Sequence, residues 1–265
     1  MLSCSAGAAR AGAAPGTTAS LSAAHVTPCA VPEERESALS LLIVGHRGVM
    51  GVEPENTLRS FVRAEHEGLD VIELDLHLSK DGELVVMHDA DVSRTTDGSG
   101  AISDFTLAEL RELDAGEGER VPTFQEVVEA VGSPLQAEIK DRAAARVLTG
   151  VIGELGLHDR VTVISFHDEA LREVRAHLPE MPLVLVTGRS TPTAPERARE
   201  LGAFMVSCEL RWLEAETVER CHAEGIKVIT WTVNTGEELD RVRELGLDGL
   251  VTDLPEIRTA ARRAS

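Results

Sequence analysis

The chain has 265 residues, enough for one barrel-sized domain or two small ones. Its composition is 43% hydrophobic but only 3% aromatic, with no Tyr, so a core must be filled by Val, Ile and Leu. A net charge of −19 argues against nucleic acid or an anionic membrane surface as a general partner. An anionic substrate would need local positive charge from Arg, Lys or a bound cation. The four cysteines, Cys4, Cys29, Cys208 and Cys221, show no CxxC spacing and read as reduced thiols.

Residues 1–40 are rich in Ala, Ser, Thr, Gly and Pro without periodicity, which predicts a disordered tail ahead of a folded domain over 41–265. The tail lacks the charged start and continuous apolar run of a signal peptide. No stretch approaches the roughly 20 apolar residues that span a bilayer. The expected location is cytoplasmic.

Leu41–His46 is a short apolar run ending in polar residues, as a buried parallel strand does. Asn56 is a possible N-cap for a helix whose inner face would use Leu58, Phe61 and Val62. In Val71–Leu78, Ile72, Leu74, Leu76 and Leu78 alternate with Glu73, Asp75 and His77, giving an aliphatic face and a charged one. Asp81-Gly82 suits a two-residue hairpin turn. That turn pairs Lys80 with Glu83, Leu78 with Val85, Leu76 with Met87 and Asp75 with His88. Residues 89–104 form a polar loop. Thr106 to Glu109 and Thr123 to Glu126 are capping-box spacings and predict two helix starts.

From there strands at Leu135–Lys140, Val161–Phe166, Leu183–Thr187, Phe204–Cys208, Lys227–Val233 and Gly249–Asp253 alternate with helical patterns. The helices fall near Arg142–Leu155, Asp168–Leu178, Pro195–Leu201, Leu213–Glu224 and Thr235–Leu245. Such alternation predicts a parallel sheet with right-handed crossovers. With the strands at Leu41 and Val71 the number is eight, the closing number of a (β/α)₈ barrel, provided that Leu84–His88 is a hairpin arm. The competing open doubly wound sheet lacks its Gly-rich fingerprint.

His46, Glu73, Asp75, Glu138, Lys140, Ser165, Trp231 and Asp253 then lie toward the carboxyl ends of their strands, where barrel enzymes do their chemistry. Glu73, Asp75 and Glu138 offer three oxygen ligands on stiff strands, suited to a hard divalent ion such as Mg²⁺ or Ca²⁺. The bland alternative is three separately paired strand ends. His46 and His88 flank this group as a candidate general acid and base. Arg47 and Lys140 are candidates for a phosphate clamp. Trp231 suits core and pocket wall equally.

Read together, GHRG at 45–48, PENT at 54–57, IELDLHLSKDG at 72–82, MHD at 87–89, RTTDGSG at 94–100, EIK at 138–140, SF at 165–166, WTVN at 231–234 and TDLP at 252–255 carry a resemblance. From Leu41 onward the sequence resembles the glycerophosphodiester phosphodiesterases, in particular the compact bacterial type. The resemblance implies a TIM barrel of the phospholipase-C-like phosphodiesterase kind, with a β-hairpin after the second strand. It implies metal-dependent hydrolysis of glycerophosphodiesters to sn-glycerol 3-phosphate and an alcohol. It makes His46 and His88 the acid–base pair, and Glu73, Asp75 and Glu138 ligands of one divalent cation. Arg47, Glu55 and Lys140 become substrate-site residues, with Trp231 as a further candidate. A lysophospholipase D-type enzyme or a non-catalytic glycerophosphodiester-binding barrel are the competing readings. A small-molecule substrate is the expected partner, with neither nucleic acid nor stable membrane insertion.

Overall fold

The computed structural model describes residues 41–189 and 191–263. The tail expected over residues 1–40 lies outside them. In chain order the elements are β1 (Leu42–Gly45), α1 (Leu58–His66), β2 (Val71–Leu78), β3 (Leu84–Val86), α2 (Leu107–Leu110), α3 (Phe124–Ala130), β4 (Leu135–Ile139) and α4 (Ala144–Leu155). They continue as β5 (Val161–Ser165), α5 (Asp168–His177), β6 (Leu183–Thr187), α6 (Ala194–Leu201), β7 (Met205–Glu209), α7 (Ala215–Ala223), β8 (Lys227–Trp231), α8 (Gly236–Glu244), β9 (Gly249–Thr252) and α9 (Pro255–Arg262).

Every strand but β3 is parallel to its barrel neighbours, in the order β1-β2-β4-β5-β6-β7-β8-β9, and β9 returns to pair with β1. The result is a closed eight-stranded (β/α)₈ barrel. Alternation decides what faces where. Val44, Ile164, Val184, Val186, Met205, Ile229 and Val251 point inward and fill the lumen. At the alternate strand positions, Ile43, Ile72, Leu74, Ala137, Val163, Leu185 and Val206 point outward into the shell of helices. A third, smaller core of Val85, Met87, Val92, Ile102, Leu110 and Val121 holds the excursion between β2 and α3 together.

Both expected capping boxes are present. Thr106 and Thr123 accept the amides of Glu109 and Glu126, whose carboxylates accept the threonine amides in return. The loop over residues 89–104 contains two single 3₁₀ turns, Val92–Arg94 and Ile102–Asp104.

Three local expectations are corrected. Thr57, not Asn56, caps α1: its hydroxyl accepts the Ser60 amide, while Asn56 adopts φ +57°. The inner face of α1 uses Ser60, Phe61 and Ala64. Val62, about 100° further round the helix, is 47% exposed.

The hairpin register is also shifted by one residue: Leu78 pairs with Leu84, His77 with Val85 and Leu76 with Val86. The turn is a three-residue loop, Lys80 to Gly82. Gly82 closes it at φ +86°, and the Ser79 amide donates to the Glu83 carbonyl at 3.0 Å. The Ser79 hydroxyl fixes this geometry by donating to Asp81 at 2.6 Å and accepting the Glu83 amide at 2.9 Å. Met87 therefore faces Asp75, its amide 3.0 Å from the Asp75 carbonyl, and His88 lies beyond the end of β3.

Gly48 shows how tightly the loop after β1 is seated. It has φ +86°, and a Cβ there would run into the side chain and backbone of Ser60. Ser60 in turn accepts the Val49 amide and donates to the Arg47 carbonyl. Gly48→Ala is expected to destabilise by about 2–4 kcal/mol, from the left-handed backbone plus overpacking. The melting midpoint should fall by more than about 4 °C; an unmoved midpoint would show that the loop yields freely.

Candidate active site

The inward positions at the ends of β2 and β4 converge on one point. Glu73, Asp75 and Glu138 are all buried, and one carboxylate oxygen from each lies within 4.8 Å of the others. Parallel register sets Asp75 beside Glu138. Two cations reach the group. Lys140 Nζ is 3.2 Å from Asp75 and 2.7 Å from Glu138, and Arg47 Nε is 3.3 Å from Asp75. The Arg47 amide donates to Glu73 at 2.9 Å, a placement set by the left-handed Arg47 backbone at φ +48°. Asn56, also left-handed, donates its side-chain amide to Asp75 at 2.8 Å.

Two cations do not neutralise three buried carboxylates evenly. Burial opposes ionisation of Asp75, but Lys140, Arg47 and His88 hold it below its ordinary range. Glu73 goes the other way: burial, then Asp75 and Glu138, push its pKa well above that of a free carboxylate. Burial and the charge of Asp75 push Glu138 up to about 7. Burial works against the charge on Lys140 and Arg47, yet the surrounding acids raise both above their usual values. The cluster is short of positive charge at Glu73 and Glu138.

Each histidine at this mouth has its own carboxylate. His46 Nδ1 is 2.6 Å from Asp253, which Asn234 holds from its other side at 2.6 Å. His88 Nδ1 is 2.5 Å from Asp89. Arg94, then His88, keep Asp89 well below the usual carboxylate range, and His46 does the same for Asp253 against the effect of burial. Burial lowers the proton affinity of His88 in spite of Asp75 and Asp89. The His88 carbonyl accepts from Nε2 of His77, 3.1 Å away, which ties the start of the loop back to β2.

His46, Arg47, Glu73, His88, Glu138, Lys140 and Trp231 line one cavity of about 280 Å³. Asp75 lies behind them, 1% exposed. Glu55, expected to bind substrate, is outside the cavity wall: it accepts from Arg47 at 2.7 Å and from Arg94 twice at 2.8 Å. Trp231 stands edge-on to Phe166, centroids 5.8 Å apart, and Lys140 sits 5.6 Å over the Phe166 ring. Asn56, Asp89, Arg94 and Asn234 fall inside PENT, MHD, RTTDGSG and WTVN but take no site role from sequence alone; their partners Asp75, His88, Glu55 and Asp253 are seen only in the fold. Asp89 follows His88 directly, and that adjacency was the available signal.

A barrel that gathers acids, cations and imidazoles at the carboxyl ends of its strands has the parts for hydrolysing an anionic ester. Comparison with known proteins narrows that class. Residues 46–257 match the Glycerophosphoryl diester phosphodiesterase family, and the chain belongs to it. The glycerophosphodiester phosphodiesterase of Caldanaerobacter subterraneus subsp. tengcongensis is 36% identical over 233 residues, spanning 82% of this chain and 96% of that relative. Among solved structures, an Oleispira antarctica phosphodiesterase in complex with the product sn-glycerol-3-phosphate superposes with a TM-score of 0.79 at 30% identity, covering 83% of this chain and 96% of that one. The glycerophosphodiester phosphodiesterase of Thermotoga maritima gives a TM-score of 0.72 at 28% identity, over 83% and 97% of the two chains. Among the described residues, no helix is long and apolar enough to cross a membrane.

Proposed function

We propose that this phosphodiesterase hydrolyses glycerophosphodiesters to sn-glycerol 3-phosphate and an alcohol at the barrel mouth. The observation that carries the reading is the buried Glu73–Asp75–Glu138 cluster, two of whose members face the same cavity as His46 and His88. The Oleispira relative solved with sn-glycerol-3-phosphate supports the choice of substrate. A cavity of about 280 Å³ suits a deacylated diester better than one carrying an acyl chain.

The donor set fits a hard divalent cation, Mg²⁺ or Ca²⁺. All three donors are carboxylates, they are buried together, and the two basic residues leave Glu73 and Glu138 undercompensated. When bound, such an ion would draw charge from a non-bridging phosphate oxygen. Arg47 and Lys140 add fixed positive charge beside it, and Glu55 holds the Arg47 guanidinium in place. With Nδ1 of each histidine committed to a carboxylate, Nε2 is the nitrogen available to substrate. His88, whose proton affinity burial lowers, accepts a proton from the attacking water as its oxygen bonds to phosphorus. His46, backed by Asp253, donates to the departing alcohol oxygen. Trp231 and Phe166 wall the side of the mouth.

The direct test is release of sn-glycerol 3-phosphate from glycerophosphocholine with and without added Mg²⁺ or Ca²⁺. No release under any metal condition would remove this function.

Metal affinity should also depend on pH, because Glu138 must lose its proton to bind. With its pKa near 7 in the metal-free fold, and Glu73 also raised by burial and its acidic neighbours, affinity should rise by at least about tenfold per pH unit below 7. The same raised pKa acts on stability. Between about pH 4.5 and 7 the unfolded chain has released a proton that the fold retains, so the metal-free protein loses stability as pH rises through that window. Calorimetric titration from pH 5.5 to 8 measures the affinity; a flat profile would show that Glu138 enters the site already ionised.

A further inference from the structure

Three polar residues lining the cavity, Gln136, Ser207 and Thr232, have no part in the arrangement described so far. Gln136 lies on β4, two residues before Glu138 and on the same inward face. It pairs in register with Glu73 on β2. The residue is 3% exposed, and its Oε1 has no hydrogen-bond partner among the described residues. A buried amide oxygen without a donor is costly, and native proteins rarely keep one unless something else comes to it. Gln136 lines the cavity, whose wall also carries the apolar Ile164, Val186 and Val251 beside Ser207.

The order of residues along β4 sets the depth. Lys140 is nearest the mouth, Glu138 follows, and Gln136 is one step further into the barrel. A phosphate held by Arg47, Lys140 and the histidines therefore has Gln136 below it, on the side away from solvent. The group that reaches this depth needs a short carbon skeleton to lie against Ile164, Val186 and Val251. It also needs a hydroxyl at its end to satisfy Oε1. The glyceryl arm of the substrate has both.

We propose that Gln136 is a specificity-determining residue that accepts a hydrogen bond from the terminal hydroxyl of the glyceryl group. The assignment rests on the function proposed above and names the part of the substrate that enters first. It predicts an opposition between stability and binding. An apolar residue removes the unpaired acceptor, so Gln136→Met, which keeps the length, and the shorter Gln136→Leu should melt no lower than the parent. They should nevertheless bind sn-glycerol 3-phosphate about tenfold more weakly.

The decisive comparison uses propane-1,2-diol 1-phosphate, which has the phosphate and the central hydroxyl but no terminal one. Wild-type enzyme loaded with Mg²⁺ or Ca²⁺ should prefer sn-glycerol 3-phosphate over this analogue by about tenfold in calorimetry. Both variants should bind the two compounds almost equally, with unchanged affinity for the metal. A wild-type enzyme that does not distinguish the two compounds would overturn the assignment without any variant being made. So would a preference that persists in Gln136→Met, a lowered melting midpoint in both variants, or a loss of metal affinity. Turnover of glycerophosphocholine reports on the reaction separately. A wild-type enzyme that discriminates between the compounds yet cleaves no diester would remove the proposed function and leave the role of Gln136 standing.

Discussion

Replacing either His46 or His88 by alanine is expected to lower turnover by roughly 10²–10⁴ while leaving metal affinity nearly unchanged. Neither imidazole is among the three carboxylates that would hold the ion, and each is fixed by its own acid, Asp253 or Asp89. The double variant should lose less than the product of the single effects, since groups that act as a unit are not additive. A diester with a nitrophenolate leaving group needs no general acid. On that substrate His46→Ala should recover most of its activity and His88→Ala should not. Equal recovery of both variants, or of neither, would reverse or cancel the division of labour. The rate profile should be bell-shaped in pH, its acidic limb set by His88, whose proton affinity burial lowers.

Removing the divalent ion should abolish turnover, the second large effect. Glu73 is 4% exposed and Asp75 1%, so neither can relieve its charge in water. Glu73→Gln and Asp75→Asn should each weaken metal binding by more than about 100-fold, beyond what loss of an outer hydrogen bond does. At a free metal concentration 100 times its dissociation constant, the loaded fold gains about 2.7 kcal/mol, or about 5–10 °C in midpoint. Full activity after exhaustive chelation would eliminate the metal role. A midpoint that ignores the titration would show that the ion is not held by this buried group.

Much of this was legible because period-two alternation commits a strand to two faces. Once Ile72 and Leu74 face the helices, Glu73 and Asp75 must face the lumen, and EIK at 138–140 follows the same rule. Closure of eight strands then does the long-range work of bringing residue 46 to residue 253. The hairpin failed for a local reason. Asp81-Gly82 is compatible with a two-residue and a three-residue loop, and Ser79 selects the longer one through two hydrogen bonds. Asn56 failed for a chemical one. The same short amide suits a helix cap and a left-handed backbone, and only the neighbouring Asp75 chooses between them. Gln136 gave no signal in a sequence because an unpaired buried acceptor is defined by what surrounds it.

The closure of β1 against β9 has a consequence for synthesis. Leu42 to Gly45 find their partners at Gly249 to Thr252, and His46 finds its carboxylate 207 positions downstream. Arg262, in the last helix, bonds the Leu41 carbonyl and the Asp70 carboxylate. Contacts of such sequence separation form late and slow folding. A ribosome-bound chain that ends before β9 carries β1 with one open edge, a template for pairing with another nascent chain. It also carries a histidine with no Asp253. A chain stopped near residue 248 is therefore expected to expose the open edge of β1 and to lack the carboxylate that holds His46, giving a sticky intermediate rather than a weak enzyme.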